Sequence, residues 1–294
     1  MQVETFKVYC DLIETASFSN AAKLNGITQS AVSQQVRALE KRFDVVLVER
    51  GKKNFSVTPE GKIFLEAARD ILEVYTSIDD RIHDLQDKVV GTLRLATVFS
   101  LGLHELPPFI KEYRSRFPEV DVTVDYLRSS QVYTEVLEGT ADIGIVAYPA
   151  KRKGIAIEEF ATDRLVCICP PDHRFAGRKT LKVADLDGEK FISFEPDLPT
   201  RKALDKEIKD VAVRVRREME FDNIETVKRA VEIENGISIV PENSVSSEVK
   251  AGTLKAIPLR QPTLVRPLGL VQKRTRATSP AMREFISILK KKKS

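Results

Sequence analysis

SFSNAAKLNGITQSAVSQQVRALEKRF, residues 17–43, reads as two short helices joined by a tight turn. Ser19 is placed to cap the first helix, with Ala21, Ala22 and Leu24 available for packing. Asn25-Gly26 is a turn signal. Thr28 then caps a second helix beginning at Gln29, along which Val32, Val36 and Leu39 form an inward stripe. The other face carries Gln29, Ser30, Ser33, Gln34 and Arg37. A helix-turn-helix needs hydrogen-bonding side chains there, because the first turns of its second helix enter the major groove. Gln pairs with adenine, Arg with guanine, and Ser with bases or phosphates. The alternative is a polar solvent face on a packed helix pair. Against it, the face is nearly uncharged until Arg37.

Working outward, Leu47 to Arg50, a turn at Gly51 and Phe55 to Thr58 form a β-wing. Its Arg50, Lys52 and Lys53 suit phosphates or the minor groove. From Lys23 to Lys62 there are eight basic and four acidic residues, a net of +4. Residues 1–90 hold 12 basic and 14 acidic residues, a net of −2. Positive charge is therefore focused on the reading head, and the acidic helix that follows faces away from DNA.

That helix runs from Pro59 to about residue 89, roughly 46 Å at 1.5 Å per residue. Thr58 is its N-cap, Pro59 its first residue and Gly91 its closing glycine. Phe64, Ala68, Ile71, Tyr75, Ile78, Ile82, Leu85 and Val89 recur in steps of four and three, a heptad seam. So narrow a seam on so long a helix points to the same helix of a second chain. Packing on its own domain is the alternative.

From Gly91 onward strands alternate with helices, which predicts a mostly parallel α/β sheet covered on both faces. The strands are GTLRLATV, VDVTVDYL, ADIGIVAY, RLVCICP, KFISFE, VRREMEF, GISIVP and PLGLVQ. The helices are HELPPFIKEYRSRF, SSQVYTEVLEG, NIETVKRAVEIEN and the terminal SPAMREFISILKKKK. The expected organisation is a winged helix-turn-helix over 1–58, a linker and dimerisation helix over 59–90 and a two-lobed domain over 91–294. Lobe 1 comprises 91–161 and 266–294, and lobe 2 comprises 162–265.

Composition narrows the function classes. A net charge of +4 is too small by itself to prove a nucleic-acid partner. No apolar run is long enough to span a membrane, and MQVETFKVYCDLIE lacks the core of a secretory signal, so a cytoplasmic protein is expected. His83, His104 and His173 have no metal-ligand or nucleophile spacing, and GxSxG, GxxxxGK[ST] and HExxH are absent. No catalytic residue, metal or cofactor is expected. Cys167 and Cys169, in one strand, place their Cα atoms roughly 6.5 Å apart on the same face. They read as small buried hydrophobes, with a redox pair as the alternative.

Phe18, Ala21, Ala22, Gln29, Ser30, Ala31, Val32, Ser33, Gln34, Leu39, Glu40, Glu49, Arg50, Thr58, Pro59 and Gly61 together resemble the winged helix-turn-helix of LysR-type transcriptional regulators. Identity and spacing match over more than forty residues, and the resemblance extends over the whole chain. Asn25 departs from it, standing where the family usually has leucine, and Leu24 is expected to fill that space. The resemblance implies a linker-helix dimer, two dimers joined through effector domains, contact with RNA polymerase and an effector domain like the type 2 periplasmic binding proteins. EPDLPTRKALD, NIETVKRAVEIENGISIVPENSV and AGTLKAIPL are similar to the CysL and CbbR-like branch, which regulates sulfur or carbon assimilation.

Ligands of such sheets sit beyond the carboxyl ends of strands. Ser100 follows the first strand; Ser129, Ser130 and Gln131 follow the second and open a helix whose N–H groups favour an anion. Ser129 or Ser130 is alternatively only a cap. In lobe 2, Phe194, Glu195, Thr200 and Arg201 follow KFISF, and Asn223 and Ile224 open another helix near the same rim. Arg201 suits a carboxylate or phosphate, or is a surface arginine at a helix start; Glu195 suits an amine. By resemblance the effector contacts fall on Ser100, Ser130, Gln131, Thr200 and Arg201. The family's Gly-Ser-Gly-Thr loop is here Pro-Asp-Leu-Pro-Thr, bulkier and less polar. The expected function is sequence-specific transcription regulation under a small anionic effector held between two lobes.

Overall fold

Three short helices begin the chain in the computed structural model, which describes residues 2–50, 55–84, 88–234, 236–260 and 264–291. They are α1 (Val3–Thr15), α2 (Phe18–Leu24) and α3 (Gln29–Phe43). Ser17, rather than Ser19, caps α2, its hydroxyl accepting from Asn20 N at 3.3 Å. Ser17 has the extended backbone a cap requires, whereas Ser19 already lies inside the first turn. Thr28 caps α3 by accepting from Ala31 N at 3.1 Å. Val32, Val36 and Leu39 are buried against Val8, Tyr9, Leu12, Ala21 and Ala22. Leu24 does not fill the space expected of it, being 62% exposed. Asn25 is instead held by polar contacts: its amide nitrogen donates to Asp11 Oδ2 at 2.7 Å and to the Ala21 carbonyl at 2.9 Å. Its side-chain oxygen accepts from Lys7 Nζ at 3.1 Å.

The wing strands β1 (Val48–Arg50) and β2 (Phe55–Val57) pair antiparallel. Glu40 fixes the ribbon to α3, its Oε1 accepting from Leu47 N at 3.0 Å and Val48 N at 3.4 Å. Lys52 and Lys53 lie outside the described residues. Thr58 donates to the Val46 carbonyl at 2.7 Å and accepts from Gly61 N at 2.9 Å, starting α4 (Pro59–Asp84). A Cβ at Gly61 would collide with the Leu47 carbonyl, so only glycine lets α4 lie this close to the wing.

α4 is described over 26 residues and stops before residue 89. Gly91 is not its closing residue but the first of a strand, at φ +102°. The seam divides. Ala68 is buried with Phe6 and Cys10 of α1, and Phe64 packs there, with ring centroids 5.9 Å from Phe6 and 5.0 Å from Tyr9. Ile71, Tyr75, Ile78 and Ile82 are exposed. Leu85 lies outside the described residues. The first turns of α4 therefore belong to the core of their own unit, formed by Met1–Val89 with Arg276–Pro280.

The second unit, Val90–Thr275 with Ala281–Ser294, runs β3 (Gly91–Val98), α5 (Phe99–His104), α6 (Pro107–Arg116), β4 (Val120–Leu127), α7 (Ser129–Glu138), β5 (Ile143–Ala147) and β6 (Ile155–Cys169). It continues β7 (Lys190–Phe194), α8 (Pro199–Asp210), β8 (Arg216–Phe221), α9 (Ile224–Glu234), β9 (Ser238–Pro241), α10 (Ser246–Ala251), β10 (Lys255–Pro258), β11 (Val265–Lys273) and α11 (Pro280–Lys291). The sheet is mixed, not mostly parallel. β3 pairs parallel with β4 and β5, but β11 pairs antiparallel with β5 and β6, and β6 antiparallel with β9 and β10. The chain crosses twice between lobes on β6 and β11, and these long neighbours run in opposite directions. β7 and β8 pair parallel, and a Phe191–Ile237 bridge ties β7 to β9. The apolar side chains gather in separate clusters. One gathers Ala96, Val132, Val136, Val146 and Val271; another Val166, Ile168, Phe191, Val227 and Ile239. Among the described residues no helix is long and apolar enough to cross a membrane.

Candidate DNA-reading face and effector cleft

α3 turns Gln29, Ser30, Gln34 and Arg37 to the surface, with Ser33 half-buried between them. The buried stripe at Val32, Val36 and Leu39 fixes this rotation, since residues three and four apart share a helix face. Ser30 Oγ lies 2.9 Å from the capping Thr28 hydroxyl, so the first turn is ordered by its own cap. Arg50 lies on β1, and nothing is described of its side chain.

In the second unit a cavity of about 650 Å³, open mouth included, lies between the two lobes. Strand ends supply its walls, as expected for a parallel βα array. Val98, Leu127, Phe194, Leu198 and Ile224 form the apolar surface, and Ser100, Ser129 and Thr200 bring hydroxyls. α7, α8 and α9 begin at Ser129, Pro199 and Ile224, all on this wall. With α5, which begins at Phe99, helix N-termini from two lobes thus converge on one space, and a helix N-terminus carries partial positive charge.

Its most buried charge is Arg266, absent from the sequence expectations. Arg266 lines the cavity with a side chain 3% exposed. One terminal nitrogen donates to Asp163 Oδ2 at 2.6 Å and the other to Ser100 Oγ at 2.9 Å. Its Nε is buried with no hydrogen-bond partner among the described residues. Burial pushes the Asp163 carboxyl above its ordinary range, and Arg266 opposes that only in part.

Arg128 was also missed. It stands between β4 and α7, and its Nη2 reaches Glu195 at 2.9 Å and Asp222 at 2.7 Å. The only local signal for either arginine was its position at a strand end. The acids that hold them are 67 to 103 residues distant in sequence.

The residues expected at the effector site are placed unequally. Ser100 and Thr200 line the cavity. Ser130 is exposed on the first turn of α7. Neither Ser129 nor Ser130 caps that helix; Arg128 occupies the cap position. Gln131 turns back on it, accepting from Arg128 N at 3.1 Å. Glu195 holds Arg128 at the mouth. Arg201 is not on the cavity wall. It is 7% exposed, donating to Glu220 and Asp205 at 2.7 Å and to the Phe194 carbonyl at 2.5 Å. Its guanidinium fixes α8 to the end of β7.

A winged helix-turn-helix in one unit and a two-lobed α/β fold with a lined cleft in the other define a transcription regulator with an effector-binding domain. Residues 3–62 match the model of bacterial regulatory helix-turn-helix proteins of the lysR family, and residues 86–294 that of the LysR substrate binding domain. The chain belongs to the LysR family of DNA-binding transcriptional regulators. It is 33% identical over 287 residues to an uncharacterized HTH-type transcriptional regulator of Methanocaldococcus jannaschii, covering 97% of each chain. It is 26% identical to the HTH-type transcriptional regulator CysL of Bacillus subtilis, covering 99% of this chain and 97% of that one. Its fold is similar to a full-length OxyR variant of Pseudomonas aeruginosa, with TM-score 0.80, 19% identity and coverage of 99% and 94%.

Proposed function

We propose that a small anionic effector, bound in the cleft between the lobes, controls DNA binding or activation by this regulator. The cavity wall carries the reading: Arg266 and Ser100 lie together on it, where helix N-termini from both lobes converge. Hydroxyl donors and helix N-termini offer a ligand oxygen hydrogen bonds and partial positive charge. Ser100 and Thr200 contact the effector, while Ser130, Gln131, Glu195 and Arg201 shape the loops around it. Gln29, Ser30, Ser33, Gln34 and Arg37 read bases or phosphates in the major groove, and Arg50, Lys52 and Lys53 of the wing contact the backbone.

The working unit is a homodimer or homotetramer in the cytoplasm. The exposed part of the α4 seam, continued by Leu85, pairs two chains. In this organisation residues 1–58 read DNA, 59–90 link and dimerise, and 91–294 sense, with 91–161 and 266–294 forming one lobe and 162–265 the other. Effector binding shifts the population of lobe arrangements, and so the DNA geometry offered to RNA polymerase.

A thermal-shift screen of the purified chain against compounds with an anionic group, namely carboxylates (amino acids among them), phosphates and sulfur-containing anions, tests this. A true effector at a hundredfold excess over its Kd stabilises by about 2.7 kcal/mol. The expected result is a stabilising anion whose effect disappears in Thr200→Val, a variant that keeps the ligand-free melting point. No stabilising anion, or an undiminished response in the variant, overturns the proposal.

A further inference from the structure

The charges of the cleft are unevenly distributed. Arg266 already has a matching negative charge in Asp163, 2.6 Å away and equally buried. What remains attractive to an anion on that wall is the hydroxyls of Ser100, Ser129 and Thr200 and the helix N-termini. The mouth has the opposite character. There the single guanidinium of Arg128 meets three carboxylates: Glu195 at 2.9 Å, Asp222 at 2.7 Å and Asp197 at 3.4 Å. Three acids against one base leave two negative charges in excess.

The fold builds this acidic edge. β7 and β8 are parallel neighbours with Phe194 opposite Phe221, and Glu195 N donates to the Phe221 carbonyl at 3.0 Å. Glu195 and Asp222 therefore leave the two strand ends side by side. The cation they hold comes from the other lobe, so the pair already demonstrates the group it accepts.

We infer, resting on the effector-cleft reading above, that the ligand is a zwitterion of the amino-acid type. Its carboxylate lies on the inner wall by Ser100 and Arg266, its ammonium at Glu195 and Asp222 in competition with Arg128, and its aliphatic body along Leu127, Phe194 and Leu198. A bare anion is drawn by the inner wall but repelled at the mouth. A bare amine is held at the mouth but leaves the hydroxyls and helix N-termini of the inner wall without an anionic partner.

Matched trios test the inference by calorimetric titration: straight-chain L-amino acids, the same carboxylic acids without the amine, and the same amines without the carboxylate. The expected result is an amino acid that binds at least tenfold more tightly than either partner. Asp222→Asn weakens that amino acid at least tenfold and does not weaken the amine-free acid. Arg128→Ala tightens the amino acid by freeing both carboxylates, and its ligand-free melting point reports that it is folded. Equal binding of the amine-free acid or the bare amine overturns the inference, as does undiminished amino-acid binding by Asp222→Asn. If no amino acid binds but another anion does, the inference fails and the effector-cleft reading stands. If neither an amino acid nor any other compound with an anionic group binds, both fail.

Discussion

Gly61 and Arg201 show what a single position discloses. Gly61 belongs to the motif by which the chain resembles its family, but the physical need for glycine appears only when the Leu47 carbonyl is seen against it. Gly61→Ala is expected to destabilise the winged unit by about 1–3 kcal/mol, the usual cost of overpacking, read as a lower melting point of that transition. Arg201 and Arg128 both stand near strand ends in the sequence, and only Arg201 has an acid four residues on, Asp205, as an i,i+4 partner. Glu220 and Asp205 draw one into the frame, and Glu195 and Asp222 hold the other at the mouth. A partner one turn along the same helix holds Arg201, whereas the partners of Arg128 come from 67 to 94 residues away. On α3 the local pattern was sufficient, because the buried stripe fixes which residues face outward. Arg37→Ala is expected to weaken specific DNA binding by about 1–3 kcal/mol, measured by gel shift at fixed salt. Unchanged affinity for the selected site would remove Arg37 from base reading.

Elements were legible wherever burial is one-sided. The caps of α3 and α4, the strands β3 to β5 and the helices α7, α9 and α11 follow from periodicity and turn residues. The first half of β6 was missed because Glu158 and Glu159 interrupt its alternation, both being exposed. α8 was read only as a helix start because its few buried residues, Leu204 and Ile208 with Arg201, give a thin stripe. The heptad seam of α4 was legible, but its division was not, since α1 covers Phe64 and Ala68 only after folding. Ile78, 47% exposed, tests the uncovered part. Ile78→Asp is expected to dissociate the oligomer in sedimentation while leaving the melting of the winged unit within about 0.5 kcal/mol, as for other surface changes. An unchanged oligomer would place the subunit contact elsewhere.

Across the sensing unit, polar contacts tie elements far apart in sequence. Lys228 of α9 is buried, and its ammonium donates to the Ser244 carbonyl at 2.8 Å while pairing with Glu225 at 2.9 Å and Glu248 at 2.8 Å. Glu225 also meets His104 of α5 at 2.7 Å. Burial pushes the Glu225 carboxyl up, but hydrogen bonds from Lys228 and His104 outweigh it and hold the group below its ordinary 4.5. A carboxyl depressed on folding adds stability above its unfolded pKa and loses it as pH falls through the folded value. The melting-point advantage of the wild type over Glu225→Gln is therefore expected to be full at pH 6 and to shrink below about pH 4.5; a constant difference would contradict the linkage. The mixed sheet is likewise a property of the whole molecule. Alternating strands and helices suggested parallel order, and the reversed direction of β6 and β11 follows from a chain that crosses between lobes twice.

The most direct test of ligand control is a DNase footprint on a genomic fragment selected by the full chain. It is recorded with and without the compound that most stabilises the protein, for the wild type and for Thr200→Val. The expected result is a footprint whose extent or affinity changes with the compound in the wild type and not in the variant. A compound that binds the cleft yet leaves the wild-type footprint and affinity unchanged would contradict the account.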